Sequence, residues 1–154
     1  MFGVSRIETC EEVALITFSK IPLNLGLLSS IFGEFAKQNI VLDMISQTSP
    51  VGGHVSLSFT CSDSELVKVL GISKTLGSKY PQLKPLVSSG NCKILLYGEE
   101  MVKTPGVYAK AVAALAGTQV ALEQVTTSDY DISLLVTNAD LGEAISALKA
   151  AFAL

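Results

Sequence analysis

An α+β fold, built twice from the order β-α-β-β-α-β, is what this sequence predicts. Three observations carry the prediction. β-branched and apolar runs of strand length alternate with apolar stripes at helical spacing. The series then repeats 80 positions on: Gly26 falls on Gly106, Phe32 on Val112, Ile40 on Val120, Leu42 on Leu122 and Asp43 on Glu123. After the hairpin the offset becomes 77, with Ser56 on Ser133 and Leu57 on Leu134, so only a loop has changed length.

In the first copy, Val13–Ile21 is a β-branched and apolar run that stops at Pro22, and it reads as a strand. Leu28, Ile31, Phe32 and Phe35 follow at i, i+3, i+4, i+7, the stripe of an amphipathic helix. Ile40–Gln47 reads as a second strand. The Pro50-Val51-Gly52-Gly53 stretch offers a hairpin connection. Val55, Leu57 and Phe59 alternate with Ser56, Ser58 and Thr60, a strand with one apolar face. Ser62 and Glu65 stand in capping-box spacing and open a helix expected to turn Leu66, Val69 and Leu70 inward. A short strand ends the copy before Gly90 and Asn91.

The second copy runs in parallel. A strand starts at Lys93 and a helix carries Tyr108, Ala111, Val112 and Leu115 as its stripe. Strands are expected over 120–127 and 130–137. A last helix opens with Asp140 and Glu143 in capping-box spacing and carries Leu141, Ala144, Ile145, Leu148 and Phe152. After Phe152 only Ala153 and Leu154 remain, too few for a final strand, whereas the N-terminus has a spare one in FGVSRIETC. The expected organisation is therefore a first unit over 12–89, inserted into a second over 90–154 that a strand within 2–10 completes. Unfilled, that place would leave a bare sheet edge beside an apolar helix; a loose N-terminal tail is the alternative. Each unit is then an antiparallel four-stranded sheet with two helices on one face, the ferredoxin-like plan.

Composition excludes several functions. The net charge is −3, with no clustered Lys and Arg, which argues against a nucleic-acid partner. Apolar residues make up 49% of the chain, yet no run approaches the ~18 residues of a membrane span. No secretory leader is visible at the N-terminus, so a cytoplasmic protein is expected. Only 16% of residues are charged, which suggests either a surface covered by a partner or a second copy, or an alanine- and valine-rich core. Cys10, Cys61 and Cys92 are odd in number and far apart, so neither a disulfide framework nor a metal site is indicated. His54, the one histidine, reads as a surface residue. Lys110 is expected in solvent. No acid/base pair or nucleophile is assembled, and no cofactor is expected.

The segments entering the two first helices, around Gly26 and Gly106, share a turn-glycine-helix pattern. A helix N-terminus offers unpaired N–H groups that suit a carboxylate, and glycine lets a ligand approach the backbone. The same glycines could serve only to make tight turns. Both readings stay open on spacing alone.

The run Ile40-Val41-Leu42-Asp43-Met44-Ile45-Ser46-Gln47 resembles the tandem ACT regulatory region of aspartate kinases. So do Met101, Thr104-Pro105-Gly106-Val107, Ala109-Lys110, Thr126-Thr127-Ser128 and Ile132-Ser133 of the second copy. The likeness covers nearly the whole chain and includes the N-terminal strand that completes the second unit. It implies a freestanding, non-catalytic regulatory module that binds a free amino acid, with a homodimer expected and a catalytic subunit as a possible partner. By that resemblance the effector lies between ACT units. It touches Asn24, Leu25, Gly26, Leu27, Leu28 and Gln47 of the first, and Pro105, Gly106, Val107, Tyr108, Leu122 and Glu123 of the second. Leu23 stands where the family usually has an aspartate, Leu25 where it has a proline, and Leu28 where it has a small residue. A more apolar amino acid is therefore expected, or a structural and assembly subunit whose pockets those leucines close.

Overall fold

The computed structural model describes residues 2–154, which form six strands and four α-helices joined by three short 3-10 turns. β1 (Arg6–Pro22) and β4 (Leu86–Tyr97) are long strands. Between them lie α1 (Leu25–Lys37), β2 (Asp43–Gln47), β3 (His54–Ser62) and α2 (Leu66–Lys79). After β4 come α3 (Val107–Ala116), β5 (Gln124–Thr127), β6 (Asp131–Thr137) and α4 (Leu141–Phe152). The hydrogen-bonded strand order is β2-β3-β1-β4-β6-β5. Contacts group Glu12–Ser89 as one unit, and the stretch up to Glu11 with Gly90–Leu154 as the other. The architecture is α+β with two ferredoxin-like units, the first inserted into the second. Both long strands pass from one unit to the other, each with a left-handed residue at the passage: Glu12 (φ 57°) and Gly90 (φ 71°).

The long strands correct the sequence reading. The N-terminal strand and the Val13–Ile21 strand are one continuous element, as are the two short strands expected on either side of Gly90. Charged Glu11 and Glu12 look like a break, but they sit on exposed strand where charge costs little.

In the first unit, Ala14, Ile16 and Phe18 of β1 face a core shared with Leu57 and Phe59 of β3. Ile16 pairs with Phe59 and Phe18 with Leu57 across the antiparallel ladder. Phe59 is the centre of an aromatic cluster, edge-on to Phe35 at 5.1 Å between centroids, 5.5 Å from Phe32 and 6.2 Å from Phe18. Such pairs contribute roughly 0.5–1.5 kcal/mol each beyond area burial. α1 buries Leu27, Leu28, Ile31 and Phe35. α2 buries Val69, Ile72 and Leu76; Leu70, expected inward, is 60% exposed. Ser62 caps a 3-10 turn over Asp63–Glu65 by accepting from Ser64 N–H, and the α-helix begins at Leu66; Leu66 and Val69 pack inward as expected, and the stripe continues through Ile72 and Leu76, which leaves Leu70 to one side of it. β2 begins at Asp43 rather than Ile40, because Ile40 N–H still closes the end of α1 on Phe35 O at 3.2 Å.

The second unit repeats the scheme with smaller side chains. Ile94 pairs with Leu134 and Leu96 with Ile132. α3 buries Val107, Ala111 and Leu115, and α4 buries Ala144, Leu148 and Phe152. Alanine at the helix contacts lets the backbones approach closely, which accounts for part of the alanine-rich composition. Tyr108 (41% exposed) and Val112 (38%), expected in the α3 stripe, face outward. α3 starts at Val107, which places Val107 and the residues four and eight beyond it inward. β5 begins at Gln124, four residues later than expected.

The N-terminal segment is tied to this second unit. Ser5 N–H donates to Tyr97 O at 2.7 Å, and Val4 is fully buried in the second core. Lys110 Nζ lies 4.9 Å over the Phe2 ring, a cation–π contact where a solvated lysine was expected. Among the described residues, no helix is long and apolar enough to cross a membrane.

Candidate functional site

The turn into α1 is set by Asn24. Its backbone is extended (φ −140°, ψ 115°), and its Oδ1 accepts from Leu27 N–H at 3.1 Å, an N-cap. Asn24 O accepts from Leu28 N–H at 3.0 Å. That leaves the N–H groups of Leu25 and Gly26 as first-turn donors without an intrahelical acceptor. No acidic side chain occupies the first turn, so the positive helix end is not neutralised there. Leu25 stands out at 79% exposed while Leu27 and Leu28 are buried in the first core. Leu28 therefore packs into the first core. Asn24, expected as a ligand group, already uses its oxygen as the cap.

The matching turn into α3 is built differently. Gly106 itself is the N-cap, left-handed at φ 87° and ψ 11°, and its carbonyl accepts from Lys110 N–H at 3.0 Å. No atom lies within 4 Å of where a Cβ on Gly106 would sit. Gly26 is one residue inside its helix, and a Cβ there would stand 3.1 Å from Asn24 Oδ1. The two glycines at equivalent sequence positions thus hold different conformations. Pro105 and Tyr108 are exposed beside Gly106, and Val107 is buried.

Gln47 ends β2, exposed and paired with Leu57 of β3 rather than bonded to the α1 turn. Leu122 and Glu123 lie on the irregular connection into β5, where Glu123 N–H donates to Leu135 O at 2.8 Å. The structure groups Asn24 to Leu28 at one helix start and Pro105 to Tyr108 at the other. Gln47, Leu122 and Glu123 lie at the edge-strand margins.

Two features went unread in the sequence. A cavity of about 440 Å³ in the second unit is lined by Gly3–Arg6 and Tyr97–Glu100, none of them an expected ligand residue. Its wall is made by the Arg6 guanidinium, 3.7 Å over the Tyr97 ring and paired with Glu8, which raises the Arg6 pKa. Gly98 faces the Gly3 backbone there, too close for any Cβ. The second feature is a pair of carboxylates, Asp140 and Glu143, that reach the α3–β5 connection. Their spacing reads as a capping box, which concealed their true partners. Among the described residues, no cluster of three metal-ligating side chains occurs.

Residues 94–152 match the ACT domain family. The chain is 30% identical over 154 residues to the aspartokinase of Corynebacterium glutamicum, covering 99% of this chain and 36% of that protein. The chain thus spans about a third of that relative's length. The aspartate kinase of Synechocystis superposes with a TM-score of 0.91 at 25% identity, covering 99% of this chain and 27% of that one. The ligand-free regulatory subunit of aspartate kinase from Thermus thermophilus has a TM-score of 0.88 at 24% identity, covering 97% of this chain and 99% of that one. That second likeness bears on the fold alone.

Proposed function

We propose that this chain, which matches the ACT domain family over residues 94–152 and is 30% identical to part of an aspartokinase, is a non-catalytic module that senses a free amino acid. It acts by changing how it pairs with a second copy or with a catalytic partner. The observation that carries this reading is the open start of α1: two first-turn N–H groups, no acid to neutralise them, and a glycine among them. A carboxylate is the group that such donors suit. Leu25 and Leu23, both exposed, give that rim an apolar character and favour an amino acid with an apolar side chain. Gln47 on the first unit, and Pro105, Gly106, Val107, Tyr108, Leu122 and Glu123 on the second, complete the proposed contacts. The rival reading is an assembly subunit whose pockets Leu28 and its counterparts close; Leu28 packs into the first core.

Thermal melting with each of the twenty amino acids tests this. A ligand at a hundred times its Kd adds about 2.7 kcal/mol, a shift of several degrees for a chain of this size. A shift with one or a few amino acids is expected, weakened by Gly26→Val. No shift with any of them removes the sensing role. Aspartate-dependent turnover of ATP by this chain alone refutes the non-catalytic assignment.

A further inference from the structure

Neither carboxylate at the start of α4 caps that helix. Asp140 is already helical in conformation (φ −87°, ψ −10°), and its side chain makes no bond to the amides of α4. Its Oδ2 accepts instead from Ala121 N–H at 3.3 Å. Glu143 Oε1 accepts from Gln119 N–H, also at 3.3 Å. The amide between them, Val120 N–H, donates to Thr118 Oγ1 at 3.1 Å, and the Thr118 hydroxyl donates back to Leu115 O at 2.6 Å. Three successive amides of an irregular segment are thus held by side chains, two of them from another element.

The first unit secures its matching segment by other means. Asn39 and Ile40 N–H, the counterparts of Gln119 and Val120, donate to carbonyls of α1, and the side chain arriving from α2 is a cation, Lys68 Nζ on Gln38 O at 3.3 Å. In the second unit Thr118 N–H, the counterpart of Gln38, likewise donates to a backbone carbonyl, Leu115 O at 2.9 Å, but Gln119, Val120 and Ala121 are satisfied by side chains, two of them from the start of α4.

We infer that Asp140 and Glu143 are positioning residues for the effector rim of the second unit. By fixing Gln119 and Ala121 they set the path of Leu122 and Glu123, which follow directly. The inference rests on the proposed reading that Leu122 and Glu123 meet the effector. It also ties that rim to α4: a ligand that draws the segment must keep these bonds or release the start of the helix.

Acidic residues in a first helical turn also interact favourably with the helix dipole, and the test must separate the two roles. The variant D140N/E143Q removes both charges and keeps an acceptor oxygen at each place; D140A/E143A removes both. Amide hydrogen exchange is read at Gln119 and Ala121, with Leu134 in the β4–β6 ladder as the internal reference. In D140A/E143A, exchange at Gln119 and Ala121 is expected to rise about tenfold, the worth of one hydrogen bond, with Leu134 unchanged. D140N/E143Q is expected to stay near the parent. The affinity for whichever amino acid stabilises the parent in melting should fall about tenfold in the alanine variant and little in the amide variant. Unchanged exchange in the alanine variant overturns the inference. So does equal loss in both variants, which assigns the effect to charge, and so does faster exchange with unaltered affinity. If no amino acid stabilises the parent, the sensing role fails and rim positioning falls with it. The exchange rates then still separate a clamp from a bare helix-charge effect.

Discussion

Gly98 and Cys61 show how single residues limit this molecule. Gly98 is extended (φ −172°), so an alanine there suffers no backbone strain; its Cβ would instead overlap the carbonyl of Gly3. Backbone on both sides cannot yield as a flexible side chain can. Gly98→Ala is expected to cost about 1–3 kcal/mol, seen as a Tm lower by several degrees. An unchanged Tm would mean that the N-terminal segment is not seated on that unit. Cys61 is 5% exposed near the end of β3, and its thiol pKa is pushed up to about 11, mainly by burial, then by Glu65 and Asp63. The folded state therefore holds the proton more tightly than the unfolded chain, whose thiol titrates near 9. This contribution to stability is complete below pH ~9 and is lost as pH rises towards ~11. Urea denaturation from pH 8 to 11 should show the decline, and Cys61→Ala should flatten it relative to the parent. Equal slopes in the two proteins would remove the thiol as the cause.

Elements were legible in the sequence wherever a period was long and clean. β3 and α1 announced themselves through Val55, Leu57 and Phe59 at every second residue and Ile31 and Phe35 at helical spacing. Phe59 is where those two patterns meet, against Phe35, Phe32 and Phe18. Phe59→Ala should cost about 3–5 kcal/mol, measured by urea denaturation, and a loss below ~1 kcal/mol would show that the cluster collapses onto the gap. Helix starts were less legible. Leu70, Tyr108 and Val112 lie just beside the buried stripes Val69-Ile72-Leu76 and Val107-Ala111-Leu115, a difference of about one residue position that packing against the sheet decides and local spacing does not. The site was legible to the same degree. The repeated turn and glycine located both helix starts, but equal sequence offset could not show that Gly26 lies inside its helix while Gly106 caps one from the left-handed region. Asp140 and Glu143 carried a local signal, capping spacing, that the tertiary structure uses for a distant segment.

At the scale of the whole chain, the insertion makes the N-terminal strand the piece that finishes a sheet whose other strands begin at Gly90. Ser5 N–H meets Tyr97 O, and β1 neighbours β4 in the strand order. Six residues inward along each antiparallel strand lie Glu11 and Asn91, so the first unit leaves and re-enters the second at neighbouring points. That geometry makes the inserted unit removable. A chain in which a two-residue Asn-Gly turn joins Glu11 to Gly90, with the inserted unit deleted, keeps the β1–β4 ladder and uses a connection suited to a hairpin. It retains the second core of Val4, Ile94, Leu96, Leu134, Leu148 and Phe152. At fewer than ~80 residues it has a core near the lower limit for independent folding, so its Tm should lie below that of the parent. It should nevertheless unfold cooperatively, with the helical circular dichroism of α3 and α4. The fragment starting at Gly90 lacks Val4 and exposes the open edge of β4, so it should show no cooperative transition. If that fragment melts as well as the joined chain, the N-terminal strand does not complete the second unit. If the joined chain is itself unfolded, the second unit depends on the inserted one for more than its connections.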